Sequence, residues 1–236
     1  LLNEPAFDIH TLDEERLFII NEQGLFIYNT KTGEVTANET NDINLPAKDK
    51  VFRVISYNKK EQTLLLAKAD ALVEYSISTG IQKQIHSLPP AEQIRTAPEG
   101  VYDDGKRTWI TYPGYGLYII DNETGEEVAN LTTENGLPDN SPYNVLPDNN
   151  DFVWVTTNSG LARIDTESFH IRTYDSQHGF LSNEFNSGAV LRDDLGKLWL
   201  GGIKGVSVFE PEQLSAQFTH QQVTDHTTQK IKHHLK

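Results

Sequence analysis

Cysteine and methionine are both absent from this 236-residue chain, and basic residues are scarce. Without cysteine the chain has no disulfides, thiolate nucleophiles or cysteine-ligated zinc sites. No apolar run in the sequence reaches the roughly 18 residues that a membrane-crossing helix needs. The chain contains 20 Lys and Arg against 34 Asp and Glu, which gives a formal net charge of −14. Because nucleic-acid binding requires clustered positive charge, we expect no nucleic-acid partner.

A motif that recurs five times is the strongest positive feature of the sequence. Each copy contains an apolar run, a small residue, a second apolar run and a turn. The small residues follow one another at steps of 44 to 47 positions and are Gly24, Ala71, Gly116, Gly160 and Gly205. A period of roughly 40 to 50 residues with four short strands per unit is typical of a β-propeller blade. The sequence therefore predicts an all-β fold, a β-propeller with about five recognisable four-stranded blades.

Turn-forming segments between the repeats predict where each blade begins and ends. The predicted blades cover approximately residues 5–49, 50–92, 93–137, 138–180 and 181–214. The fifth repeat lacks a convincing fourth strand, so the N-terminal segment at residues 7–12 is an alternative source of the strand that completes the ring. An open edge would otherwise pair with another chain, for example in a homodimer. Residues 215–236 are polar, and we interpret them as a tail or as the stub of a following domain.

The small residue and a nearby tryptophan both have structural explanations. A tight turn between the second and third strands favours a positive φ, which glycine adopts without a Cβ clash. Trp109, Trp154 and Trp199 lie six or seven residues before that glycine. Large flat side chains at this point are expected to pack in the core between neighbouring blades.

Two segments carry a more specific pattern. Residues 134–165 and 178–214 both contain G-L/F-x-x-N, an acidic turn, a strand centred on tryptophan and a strand opened by glycine. They resemble the repeats of the two-component regulator propeller family. The resemblance implies the periplasmic sensor region of a bacterial inner-membrane signalling protein. It also implies that the five predicted blades are part of a larger propeller. Any kinase or diguanylate cyclase activity, and any attachment to the membrane, would then lie in segments outside this chain.

Propeller geometry suggests where a ligand would bind. The loops that join one blade to the next share a face of the disc with the turns between second and third strands. Aromatic and amide side chains around a central depression suit a small polar ligand such as an oligosaccharide. The candidate ligand-binding residues on this face are Tyr112, Tyr115, Asn158, His178, Asn183, Glu184 and Lys204. The histidines show no metal-ligand spacing, so we expect neither a metal nor another cofactor.

Common catalytic motifs are missing from the sequence, which favours a sensor that is not an enzyme. One alternative is a periplasmic propeller enzyme of the lyase or lactonase type. His178, Glu184 and Asp139 would supply its chemistry, with His178 and Glu184 as the acid–base pair. A second alternative is a scaffold that binds other proteins and no small ligand.

Overall fold

The computed structural model describes residues 6, 8–21, 24–37, 54–58, 62–67, 71–79, 82–87, 96–148 and 151–214. Within these residues, antiparallel strands form four four-stranded sheets and one three-stranded sheet. None of the helical segments among them is long and apolar enough to cross a membrane. The predicted tail at residues 215–236 lies outside the described residues.

Each sheet is built from strands that follow one another along the chain. The first two sheets contain β1 (Asp8–Thr11), β2 (Arg16–Asn21), β3 (Gly24–Asn29) and β4 (Val35–Ala37), then β5 (Val54–Asn58), β6 (Thr63–Ala67), β7 (Ala71–Ser76) and β8 (Gln82–Ser87). The next two contain β9 (Gly100–Asp103), β10 (Arg107–Tyr112), β11 (Gly116–Asp121) and β12 (Glu127–Leu131), then β13 (Pro142–Pro147), β14 (Phe152–Thr157), β15 (Gly160–Asp165) and β16 (Ile171–Tyr174). The last contains β17 (Phe185–Arg192), β18 (Leu198–Gly202) and β19 (Gly205–Phe209).

The first strands of successive sheets pack against one another in the order β1, β5, β9, β13 and β17, so these strands surround a common axis. The sheets are therefore the five blades of a β-propeller, and the predicted all-β fold is confirmed. No packing of the same extent joins β17 to β1 within the described residues. Strand β1 pairs with β2, with Asp8 opposite Ile20, and is the first strand of the first blade. The alternative in which this segment completes the fifth blade is therefore wrong.

Tryptophans of the third and fourth blades fill the spaces between blades. Trp109 and Trp154 are both 0% exposed, as predicted. A buried ring of this size removes about 150–250 Å² from water, worth roughly 4–6 kcal/mol. Trp199 of the fifth blade is 41% exposed, so the prediction that it lies in the core is wrong. No further sheet of the described structure packs against its side of the blade.

Each of these tryptophans also binds an aspartate in the turn between the first and second strands of its own blade. The indole N–H groups of Trp109, Trp154 and Trp199 donate to Asp104, Asp148 and Asp193 over 2.8, 3.2 and 2.9 Å. The Asp148 side chain is fully buried and also accepts from the Arg163 guanidinium, with Nη2 and Oδ2 3.2 Å apart. The repeated acidic turn and the tryptophan therefore act as one structural unit.

Glycine is required where the third strand begins close to the fourth. Gly116 and Gly160 have φ values of 94° and 141°. A Cβ atom on Gly116 would lie 2.4 Å from the carbonyl oxygen of Leu131. In the second repeat, where Ala71 takes the equivalent position, φ is not positive. The predicted positive φ therefore occurs at Gly116 and Gly160 and does not occur at Ala71.

Candidate ligand-binding site

Two loops that join consecutive blades have the same internal structure. One joins β12 to β13 and the other joins β16 to β17, and each contains a short 3-10 helix, Thr133–Asn135 or Ser176–His178. Both helices end at a glycine in the left-handed conformation, Gly136 or Gly179. The G-L/F-x-x-N pattern of the sequence therefore encodes the end of a 3-10 helix followed by a tight loop.

The asparagine of the pattern ties each loop together. The side-chain oxygen of Asn140 accepts from the backbone N–H of Thr133 over 2.8 Å. The side-chain oxygen of Asn183 accepts from the backbone N–H of Ser176 over 2.7 Å. These side chains thus hold the first residue of the 3-10 helix against the start of the next blade.

Hydrogen bonds place the linking loops beside the turns between second and third strands. The backbone N–H of Gly116 donates to the carbonyl oxygen of Asn140 over 3.1 Å. The Ser159 hydroxyl donates to the Asp139 carboxylate over 3.2 Å. We call this surface the linking-loop face, and it is the face on which the sequence predicts a ligand.

A tyrosine on the linking-loop face lies within the electrostatic influence of three carboxylates. Burial raises the pKa of the Tyr143 hydroxyl, and the negative charges of Glu99, Asp139 and Glu184 raise it further. Ser187 joins the group because its hydroxyl donates to the Glu99 carboxylate. We call Glu99, Asp139, Tyr143, Glu184 and Ser187 the mouth cluster. The cluster combines an aromatic ring with charged hydrogen-bond acceptors, and none of its five residues is buried.

A bulge in β17 brings the fifth blade into the mouth cluster. The pairing of β17 with β18 shifts register between Phe185 and Val190. The buried Asn144 holds the bulge, since its amide nitrogen donates to the Asn186 carbonyl over 3.0 Å and its oxygen accepts from the Gly188 N–H over 2.9 Å. The third, fourth and fifth blades therefore all contribute to the cluster.

Of the seven residues predicted from the sequence, Glu184 lies in the mouth cluster. Tyr112 is 0% exposed and packs edge-on against Tyr118, with ring centroids 5.4 Å apart. Burial raises the pKa of the Tyr112 hydroxyl well above its usual range. Tyr115 is half-buried against the same core. Tyr112 is thus a core residue and has no surface from which to contact a ligand in this structure.

The remaining predicted residues occupy loops and turns of the fourth and fifth blades. Asn158 and Lys204 are exposed in the turns between second and third strands. Nδ1 of His178 lies 2.8 Å from the Asp175 carboxylate, and this contact is the main cause of the lowered pKa of Asp175. The Glu184 side chain makes no hydrogen bond or ion pair within the part of the chain that the structure describes. The structure therefore pairs His178 with Asp175 and not with Glu184, and Asn183 serves its own loop.

Glu99, Tyr143 and Ser187 were not predicted from the sequence. The position of Glu99 could have identified it, because Glu99 and Glu184 each directly precede the first strand of a blade. First strands surround the axis, so residues at this position converge even when they come from different repeats. Across the described ranges, no three histidine or acidic side chains are grouped as a metal ion would require.

Comparison with known proteins supports the architecture. No protein-family model matches the chain. Histidine kinase P4 of Formosa agariphila is 32% identical over 108 residues, which is 46% of this chain and 8% of that protein. The extracellular domain of a hybrid two-component system from B. thetaiotaomicron is similar in fold, with a TM-score of 0.67 and 19% identity over 88% of this chain and 28% of that one.

Two further structures share the fold. The extracellular domain of a one-component system from B. thetaiotaomicron matches with a TM-score of 0.66 and 17% identity over 89% of this chain and 30% of that one. Virginiamycin B lyase from Staphylococcus aureus matches with a TM-score of 0.59 and 16% identity over 87% of this chain and 69% of that one. This chain thus spans under a third of the two extracellular domains and a small part of the kinase. These similarities confirm, at the level of the fold, the predicted resemblance to the extracellular domains of two-component signalling proteins.

Proposed function

We propose that this chain is part of a periplasmic sensing propeller of a bacterial transmembrane signalling protein. It binds a small polar ligand, such as an oligosaccharide, and does not convert it chemically. The mouth cluster is the observation that carries this proposal, because charged acceptors and a tyrosine converge there from three blades. The similarity in fold to extracellular domains of one- and two-component systems supports the sensing role.

The chemistry of the mouth cluster selects a class of ligand. Asp139 accepts from Ser159 and from the backbone of Ser141, whereas the Glu184 carboxylate has no partner within the described residues. Hydrogen bonds to a carboxylate are roughly twice as strong as those between neutral groups. The cluster therefore favours ligands that donate hydrogen bonds, such as neutral sugars and amino sugars, and repels sugars that carry a carboxylate.

Ligand binding would also join blades to one another. Glu99 precedes the third blade, Tyr143 lies in the fourth and Ser187 lies in the fifth. A ligand that contacts all three fixes the relative positions of these blades. Segments outside this chain would carry that change to the cytoplasmic side of the membrane.

A thermal-shift screen of saccharides tests the proposal. A ligand at 100 times its Kd stabilises the folded state by about 2.7 kcal/mol. For a domain of this size, that raises Tm by roughly 5–11 °C. We expect neutral or amino oligosaccharides to raise Tm, and uronic-acid oligomers to have no effect.

Two variants locate the binding site. Glu184→Gln removes a charge from the mouth cluster and should lower the affinity for the stabilising saccharide at least about tenfold. Glu123→Gln is the matched control, since Glu123 is exposed in the turn between β11 and β12 and lies outside the mouth cluster. The proposal fails if no saccharide stabilises the chain, or if both variants bind as the wild type does.

A propeller lyase is a second candidate, favoured by the similarity in fold to virginiamycin B lyase. It differs from the sensor in predicting turnover of the ligand. Mass spectrometry after overnight incubation of the chain with the stabilising saccharide and with uronic-acid oligomers distinguishes the two. Intact saccharides support the sensor, and cleavage of a uronic-acid oligomer to a product with an unsaturated end, lost on adding a chelator, supports the lyase.

A further inference from the structure

A cavity lies between the third and fourth blades on the face opposite the linking loops. The turns between first and second strands and those between third and fourth strands form this face, which we call the turn face. The volume of the cavity is about 230 Å³, which is below the roughly 300–1,000 Å³ of sites for drug-sized molecules, so it suits a small ligand. Its walls are mostly polar and include, from both blades, Tyr102, Asp104, Lys106, Asp148, Asp151 and Glu167.

Ion pairs join the two blades beside this cavity. Nζ of Lys106 lies 3.1 Å from each carboxylate oxygen of Glu167. The guanidinium of Arg107, which is largely buried, donates to the same carboxylate over 3.1 Å and also to the Thr166 carbonyl oxygen. These contacts hold the two walls of the cavity in place, so the cavity is formed before a ligand binds.

A tyrosine distinguishes this cavity from the space between the fourth and fifth blades. Tyr102 lies opposite Trp109 on the adjacent strand, and in the fourth blade Leu146 takes the same place opposite Trp154. Leu146 packs into the apolar cluster between its blade and the next. Tyr102 brings a hydroxyl to the equivalent position, and this hydroxyl makes no hydrogen bond within the described residues. The polar wall is therefore a feature of this pair of blades and not of the repeat.

The charge of the cavity selects a cation. Four of the lining residues are acidic and one is basic. Burial raises the pKa of the Tyr102 hydroxyl, and the negative charges of Asp104 and Asp103 raise it further, while the positive charge of Arg192 opposes them. A negative charge is therefore disfavoured at this hydroxyl, and a positive one is favoured.

Most of the acidic groups in the cavity already have partners. Asp104 and Asp148 accept from indole N–H groups, and Glu167 accepts from two basic residues of the third blade. The Asp151 carboxylate makes no hydrogen bond or ion pair within the part of the chain that the structure describes. The acceptors left for a ligand are thus this carboxylate and the Tyr102 hydroxyl. A primary ammonium group matches them, because it is positively charged and donates three hydrogen bonds.

We propose that this cavity is a second binding site, for a small primary amine, on the face of the propeller opposite the mouth cluster. The ammonium group of the ligand donates to the Asp151 carboxylate and to the Tyr102 hydroxyl. A bound amine contacts both blades and so adds to the ion pairs that join them. The site shares no residue with the mouth cluster, and the proposal is therefore independent of saccharide binding.

The indole N–H signals in a nitrogen-15 NMR spectrum report on this site. Trp109 and Trp154 donate to Asp104 and Asp148, which line the cavity, whereas Trp199 donates to a turn of the fifth blade. We expect propylammonium chloride to shift the first two indole signals and to leave the third, which Trp199→Phe identifies, unchanged. Tetramethylammonium chloride is the matched ligand control, because its cation has the same charge but donates no hydrogen bond. It should bind at least about tenfold more weakly than propylammonium. Equal binding of the two cations, or shifts caused by magnesium chloride and not by the amine, would overturn the proposal.

Two variants locate the amine. Asp151→Asn removes the charge and nearly keeps the size of the side chain, and it should lower the affinity for propylammonium about tenfold. Glu123→Gln is the matched control, because Glu123 is an exposed carboxylate of the turn face outside the cavity, and its affinity should equal that of the wild type. Equal affinities of the wild type and Asp151→Asn, or no binding of the amine at all, would overturn the proposal. If the amine binds and no saccharide does, the amine site stands and only the sensing proposal fails.

Discussion

Removal of the Asp148 side chain is the sharpest test of how the blades are held together. Its carboxylate accepts from the Trp154 indole over 3.2 Å and from the Arg163 guanidinium, and the side chain is fully buried. The Arg163 guanidinium also lies 3.5 Å from the centroid of the Phe152 ring. Asp148→Ala would therefore leave both a buried indole N–H and a largely buried positive charge without their acceptor.

The size of the effect follows from burial. Breaking a buried ion pair by removing one partner costs about 3–5 kcal/mol. For a domain of 150–250 residues this lowers Tm by roughly 6–20 °C. Asp193→Ala is the matched control, because Asp193 accepts from Trp199 over a similar 2.9 Å but in a solvent-exposed setting. We expect the control to shift Tm much less, since water replaces the lost acceptor.

Thermal unfolding followed by circular dichroism and by tryptophan fluorescence measures both variants under the same conditions. The expected order is a large loss for Asp148→Ala and a small loss for Asp193→Ala. Equal losses would show that burial of the carboxylate does not decide the cost of removing it. A negligible loss for Asp148→Ala would contradict the prediction as well.

Three further predictions concern the turns and the core. Gly33→Ala is expected to lower the free energy of unfolding by roughly 1 kcal/mol, and Gly116→Ala by more than twice as much. Both glycines have positive φ, but only at Gly116 would a Cβ clash with a neighbouring carbonyl. Similar losses of stability for the two variants in urea unfolding would contradict this. Tyr112→Phe should leave the free energy of unfolding unchanged or raise it by up to about 1 kcal/mol, because the buried hydroxyl has no partner in the described structure; a clear loss of stability would disprove it. The contact with His178 lowers the pKa of Asp175 below 3.8, so its contribution to stability is present above that pH and is lost as pH falls through the lower folded value. Tm measured over about pH 2 to 5 should therefore fall less steeply in Asp175→Asn than in the wild type, and parallel curves would count against the contact.

Local patterns explain why the blades could be predicted from the sequence. The apolar second strands, such as β6 (Thr63–Ala67), and the small residue that opens each third strand are short-range signals. The exposure of Trp199 could not be predicted in this way, because burial of a tryptophan depends on whether another blade follows. Sequence spacing identifies the equivalent residues of repeats but does not show which repeat lacks a neighbour.

The candidate site was harder to predict because its residues are far apart in the sequence. Glu99 and Ser187 are hydrogen-bonded although 88 positions separate them. Their meeting depends on the β17 bulge, which Asn144 holds from the fourth blade. Asn183 and His178, by contrast, stood out in the sequence because they belong to a repeated loop, and their hydrogen bonds serve that loop.

Hydrogen–deuterium exchange of the chain with and without a stabilising saccharide shows whether a ligand binds at the mouth cluster. We expect protection to increase in residues 97–100, 138–144 and 182–188, which contain the mouth cluster, and to remain unchanged in the turns that hold Asp104 and Asp193. Protection confined to those turns, or spread evenly over the chain, would contradict a ligand site at the mouth of the propeller.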